Sequence, residues 1–151
     1  MELKTGIEKS TLDDKGRVSI PIRFREHFQG KLFISLGSEN CAMIMTEAAC
    51  EHLLQAEKNP ENQLEQTERE ALEFRIINTI DEVELDKIGR IAIPSVIREI
   101  ANLTRDCLVM RKESRLFIWD KDTYKAYLAE TNLLQRSAMN KLSSKDIFRV
   151  D

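Results

Sequence analysis

Two stretches of this 151-residue chain are near copies of one another. Residues 12–28 read LDDKGRVSIPIRFREHF, and residues 85–101 read LDKIGRIAIPSVIREIA. At a shift of 73 they align without a gap. Eight of the 17 positions are identical, and three more exchange like for like: Val18/Ile91, Ser19/Ala92 and Phe24/Ile97. An internal repeat constrains a fold more tightly than local propensity does, because one structural unit has to be built twice. A half of about 55 residues also buries too little surface to be comfortable alone, which favours two halves that interleave.

Each copy has the same physical reading. Asp, two variable residues and Gly-Arg form a turn in which the Asp carboxylate accepts backbone N–H bonds. Gly16 and Gly89 can take the positive φ that such a turn requires. Val18 and Ile20, like Ile91 and Ile93, then alternate with Ser19 and Ala92, the period of a short strand. Pro21 and Pro94 end that strand. Each biases the Ile before it to extended backbone and suits the first position of a helix, where its missing N–H costs nothing. The helices that follow are expected to face Phe24 and Phe28, or Ile97, Ile100 and Ala101, inward.

Around this core the chain divides into four parts. Residues 1–58 form the first repeat with its helix, 59–77 an acidic helical connection, 78–134 the second repeat with its helix, and 135–151 a polar tail. A strand over 5–11 opens the first repeat, with 78–84 as its counterpart. Gly30 stops the first short helix. Strands over 31–36 and 41–45 flank the turn Gly37-Ser38-Glu39-Asn40, a hairpin pattern. Thr46 caps a helix over 46–58. A second helix, over about 61–77, offers Leu64, Thr67, Ala71, Phe74 and Ile77 as its apolar side. In the second repeat, strands over 106–110 and 116–119 join through the tip RKESR, and Asp120 stands where Thr46 does, 74 residues on. A closing helix is expected over 121–134.

Net charge is −3, but its distribution decides more than its sum. Residues 1–45 carry 7 basic and 6 acidic side chains, residues 46–84 carry 3 and 11, and residues 85–151 carry 13 and 9. The acidic excess is confined to the middle, and both repeat blocks are mildly basic, so an anionic partner is compatible with the chain. The three cysteines, Cys41, Cys50 and Cys107, lack metal spacing and read as reduced residues of a cytoplasmic protein. No apolar run reaches membrane-spanning length and no signal-peptide pattern opens the chain. The phosphate-cradling, nucleophile-elbow and zinc-helix motifs are absent. His27 and His52 have no partner at ligand spacing. The chain is therefore not expected to be an enzyme, to hold a metal or cofactor, or to take a small-molecule substrate.

The candidate site is the pair of turns. Arg17 and Arg90 occupy equivalent positions beside Gly16 and Gly89, and Lys15 and Lys87 share the turns with them. Ion pairing to a neighbouring carboxylate is one reading of these arginines; contact with a phosphate or a base is the other. Arg25 and Arg98, each followed by Glu, read as structural. Arg23 is a further basic candidate, although Val96 replaces it in the second copy.

With Asp13–Arg17 (DDKGR) and Asp86–Arg90 (DKIGR) each followed by a strand, Pro and Arg-Glu, the chain resembles the MraZ family, over nearly its whole length. The resemblance implies an α+β fold of two pseudo-symmetric, β-rich AbrB-like (swapped-hairpin) half-domains with accessory helices. It implies a sequence-specific bacterial transcriptional regulator, forming ring-shaped homo-oligomers in the cytoplasm and nucleoid. Such a protein binds double-stranded DNA at G-rich direct repeats upstream of its own division and cell-wall operon. The residues it carries over are Lys15, Arg17, Lys87 and Arg90, with Asp13, Gly16, Asp86 and Gly89 forming the turns. A non-catalytic interaction scaffold of the same fold is the alternative.

Overall fold

The computed structural model describes residues 1–142. Lys145 and Arg149, basic residues of the expected tail, lie outside the described residues. Residues Met1–Lys121 form one compact unit, and a second begins at Asp122.

The first unit is built from β1 (Thr5–Thr11), β2 (Arg17–Ser19), α1 (Ile22–Arg25), β3 (Leu32–Leu36), β4 (Ala42–Thr46), α2 (Glu47–Lys58), α3 (Gln66–Arg75), a 3-10 turn (Ile77–Thr79), β5 (Asp81–Val83), β6 (Arg90–Ala92), α4 (Ser95–Ile100), β7 (Asp106–Lys112) and β8 (Arg115–Asp120). Six strands make one antiparallel sheet in the order β1-β7-β8-β4-β3-β5, and β2 and β6 make a separate two-stranded ribbon. The expected α+β class holds.

Strand order records an exchange between the repeats. First-repeat β1 pairs with second-repeat β7 (Thr5↔Lys112 through Thr11↔Asp106). Second-repeat β5 pairs with first-repeat β3 (Leu32↔Val83). The hairpins meet through β4 and β8 with Met43 opposite Phe117, and the ribbon centres on Val18 opposite Ile91. Equivalent residues thus face each other at both centres, which places a pseudo-two-fold axis through both layers. Neither repeat completes its own sheet, so neither buries its core alone.

The pleat sorts the side chains. Ala42, Ile44, Leu116 and Ile118 point to one face, where they pack with Val18, Ile20, Phe24, Phe28, Ile91, Ile93, Ile97 and Ala101 from the ribbon and the short helices. Met43, Met45 and Phe117 point to the other, where Cys50, Leu53 and Leu54 of α2 and Ile76 cover them. All three cysteines are buried free thiols.

Four expectations change. Ile100 is 46% exposed, because positions 97 and 101, one helical turn apart, already fill the inner face as Phe24 and Phe28 do. Phe74 is 75% exposed. The inner side of α3 is carried instead by Arg69, Leu72, Glu73 and Ile76, because Arg69 Nη1 donates to the Glu57 carbonyl on α2 at 2.6 Å. The second hairpin turns in two residues, not five: Glu113 takes φ 56° and its amide donates to the Lys4 carbonyl at 2.8 Å. The closing helix is two, α5 (Lys121–Glu130) and α6 (Asn132–Lys141), so residues 135–141 are helical rather than tail. Thr131 separates them, its hydroxyl bonded back to the Tyr127 carbonyl at 2.8 Å, a local bond that competes with helix continuation.

Candidate nucleic-acid interface

Both turns are built by the same set of bonds. Asp13 Oδ1 accepts from the amides of Lys15 and Arg17, each at 2.9 Å, and Asp86 Oδ1 accepts from those of Ile88 (3.0 Å) and Arg90 (2.9 Å). The backbone closes each loop: Asp13 N to Arg17 O at 2.8 Å, Asp86 N to Arg90 O at 2.8 Å. Gly16 and Gly89 adopt φ 77° and 83°, so the positive-φ requirement read from the sequence is met. The Arg17 and Arg90 amides, bonded to the carboxylates, pull Asp13 and Asp86 below the ordinary carboxylate pKa; partial burial opposes this, and the guanidiniums reinforce it.

The second carboxylate oxygen of each Asp holds the arginine. Arg17 Nε lies 2.8 Å from Asp13 Oδ2, and Arg90 Nε lies 2.8 Å from Asp86 Oδ2. The ion-pair reading of the sequence is therefore realised. It does not consume the arginines. A guanidinium carries five N–H donors, and Nε uses one. Among the described residues the Nη groups of Arg17 make no hydrogen bond, while Arg90 Nη1 reaches Asp13 Oδ2 at 3.4 Å. An arginine buttressed through Nε is fixed in direction and still presents its Nη edge.

The ribbon sets where those edges go. In β2 and β6, Arg17 faces Ala92 and Ser19 faces Arg90 across the ladder. With a side-chain period of two, these four share the outer side, and Val18 and Ile91, both 0% exposed, share the inner. Arg17 and Arg90 therefore stand side by side on one face. Lys15 and Lys87 are exposed at the turn tips. The structure brings together every turn residue expected from the sequence.

Arg23 is not among them. Its Nε pairs with Glu8 Oε2 at 2.8 Å, Nη2 lies 3.4 Å from the Ile7 carbonyl, and the guanidinium stacks 4.7 Å above the Phe24 ring. It ties α1 to the sheet edge. Arg25 and Arg98, read from the sequence as structural, bond the backbone carbonyls of Ile20 and Ile93. Their guanidiniums lie against Gly89 and Gly16, each in the opposite repeat. The signal was present: both arginines survive the duplication at positions with no apolar role.

A family model described as "MraZ protein, putative antitoxin-like" matches residues 5–74 and again residues 76–144. The chain is 35% identical over 136 residues to the transcriptional regulator MraZ of Spiroplasma kunkelii, covering 89% of this chain and 94% of that protein. It is 33% identical to the protein of that name from Saccharopolyspora erythraea, covering 83% and 86%. The Salinispora tropica counterpart is 32% identical, covering 83% and 87%.

Proposed function

This chain belongs to the MraZ family, and on that premise we propose that it is a sequence-specific DNA-binding regulator of transcription. Its target is G-rich direct repeats in double-stranded DNA upstream of its own division and cell-wall operon. The observation that carries the reading is the outer face of the β2–β6 ribbon. There two arginines are held in fixed direction by Asp13 and Asp86, with lysines exposed at the turns on either side.

The chemistry suits a guanine. A B-form major groove admits a two-stranded β-ribbon, and an arginine edge can donate to guanine O6 and N7 together. Anchoring Nε beforehand lowers the entropy lost when the Nη edge engages. Lys15 and Lys87 supply phosphate contacts that position the ribbon without reading sequence. With few contacts per subunit, single-site affinity is low. Repeated boxes met by a ring-shaped homo-oligomer raise it through effective concentration. Exposed Leu3 and Ile7 at the β1 edge offer apolar surface for such assembly. The setting is the cytoplasm and nucleoid. Among the described residues no helix is long and apolar enough to cross a membrane.

The test is fluorescence anisotropy with DNA from upstream of the protein's own gene, against a scrambled duplex, across a salt series. Tight binding that needs the natural sequence, weakens with salt and is lost in Arg17→Ala supports the reading. Equal or no binding to both duplexes rejects it.

A further inference from the structure

Each DxxGR turn is completed by the other repeat. Gly16 O accepts from the Ile93 amide at 2.9 Å, and Gly89 O accepts from the Ile20 amide at 2.9 Å. The carbonyls of those same isoleucines accept from the arginines of the helices behind them: Arg25 Nε to Ile20 O at 2.6 Å, Arg98 Nε to Ile93 O at 3.0 Å. Those carbonyls each precede a proline. The two guanidiniums then close back onto the glycines. A Cβ built on Gly16 would fall 2.6 Å from Arg98 Cζ, and one on Gly89 would overlap the Arg25 guanidinium. Both glycines are buried beneath them although they occupy turns.

Two hydrogen bonds and one packing contact close each of two circuits: Gly16–Ile93–Arg98, and Gly89–Ile20–Arg25. Both cross the repeat boundary. Resting on the DNA reading above, we propose that Arg25 and Arg98 are positioning residues acting in trans between repeats. Arg98 sets the first turn, with Lys15 and Arg17. Arg25 sets the second, with Lys87 and Arg90.

The physical case rests on what each circuit replaces. A turn with a glycine at positive φ is the segment of a ribbon freest to move. Here the space a side chain would fill is filled by a guanidinium from another element, whose Nε is fixed on a carbonyl. Moving the turn breaks that packing and the Ile–Gly backbone bond together. Arg25 also lines a cleft of about 320 Å³ with Asp86, Lys87 and Gly89 of the second turn, and none of its own repeat's turn. Arg25 and Arg98 keep identity across the duplication although their neighbours at 23/96 and 27/100 do not. Symmetric exchange accounts for that: each repeat supplies what the other's turn requires.

The test is a double-mutant cycle on the full chain, read as the dissociation constant for the natural upstream duplex. Arg98→Met and Arg25→Met are each combined with Lys15→Ala and with Lys87→Ala, and folding is checked by thermal melting. Coupling is expected to be crossed. Arg98→Met should be non-additive with Lys15→Ala by roughly fivefold or more, and additive with Lys87→Ala; Arg25→Met should show the reverse. Coupling within the same repeat, or additivity in all four pairs, overturns the proposal. A loss on Arg98→Met that merely removes one unit of salt dependence, without coupling to Lys15, makes Arg98 a phosphate contact and also overturns it.

A second measurement does not depend on DNA. In Arg98→Lys, which keeps charge and stem, amide exchange should rise at Gly16 and Arg17 and stay unchanged at Gly89 and Arg90. Equal rise at both turns, or none, rejects the clamp. If exchange follows the crossed pattern and wild-type protein does not bind DNA, the clamp stands and the DNA reading falls.

Discussion

Asp13 of the first turn holds Arg90 of the second: Asp13 Oδ2 lies 3.4 Å from Arg90 Nη1. Asp13 thus serves two arginines, its own Arg17 at 2.8 Å and its neighbour's Arg90, while Asp86, among the described residues, serves Arg90 alone. The pseudo-symmetric ribbon is electrostatically asymmetric. Arg90 is restrained by two carboxylates and Arg17 by one.

That asymmetry ranks the arginines. Among the described residues Arg17 has both Nη groups open, and it stands in the turn that also carries Lys15, whereas the equivalent of Lys15 in the second turn is Ile88. Arg17→Ala should weaken binding to the natural duplex roughly 10- to 100-fold, the worth of a bidentate guanine contact. Arg90→Ala should lose less. Anisotropy titrations of the two variants side by side decide it; equal losses would refute the ranking.

The lysines should behave differently. Lys15→Ala should weaken natural and scrambled duplexes by similar factors and lower the slope of log affinity against log salt by about one. A loss confined to the natural sequence would make Lys15 a base reader.

Acid should loosen the turns. Asp13 and Asp86 have depressed pKa values in the folded chain, first through the Arg17 and Arg90 amides that donate to them. A depressed carboxyl contributes stability that is complete above its unfolded value, near 3.8, and lost as pH falls through the folded one. Gly16 and Gly89 amide signals, followed by NMR, should therefore move only below about pH 3.8. Asp13→Asn should remove this response at Gly16. Movement near neutral pH would contradict the assignment.

Two phenylalanines make a matched test of the core. Phe24, 2% exposed, fills the space between ribbon and sheet; Phe24→Ala should cost about 3–5 kcal/mol in chemical denaturation. Phe74, 75% exposed, should give Phe74→Ala within about 0.5 kcal/mol of wild type. A large loss at Phe74 would show that its side chain is buried in solution.

The thiols should be inert until the chain unfolds. Burial pushes Cys41 up to about 12 and Cys107 to about 11, and raises Cys50 in the same direction. Thiolate is the reactive form, so a thiol reagent at neutral pH should modify none in native protein and all three in denaturant. Fast native labelling would place a cysteine at the surface.

Much of the fold was legible because the repeat announces itself. The span of β1 is legible to the residue, and the Asp–Gly turns and the Thr46 cap lie where expected, since each follows from local chemistry; Pro21 and Pro94, expected at the first helical position, stand one residue earlier as the caps of α1 and α4. The apolar side of α3 was misread. Its inner face mixes Arg69 and Glu73 with Leu72 and Ile76, and periodicity cannot detect a charged residue that faces inward to meet Glu57. The five-residue tip of the second hairpin was misread for a similar reason. Glu113 accepts a left-handed φ while its amide is held by Lys4, which is distant in sequence.

Residue order alone establishes that one unit is made twice, that each unit carries an Asp-anchored glycine turn, and that basic residues lie at both turns. Those are properties of residues within a few positions of one another, where backbone geometry and side-chain reach are fixed by covalent spacing. Tertiary structure alone assigned the partners: β1 pairs with β7 and β5 with β3, Arg17 and Arg90 share one face, Arg23 Nε pairs with Glu8, and Arg25 and Arg98 lie against Gly89 and Gly16 of the opposite repeat. Those depend on which surfaces meet across 73 residues of chain. Local pattern marks each strand but not its partner, because a ladder bond joins residues that covalent spacing does not bring together.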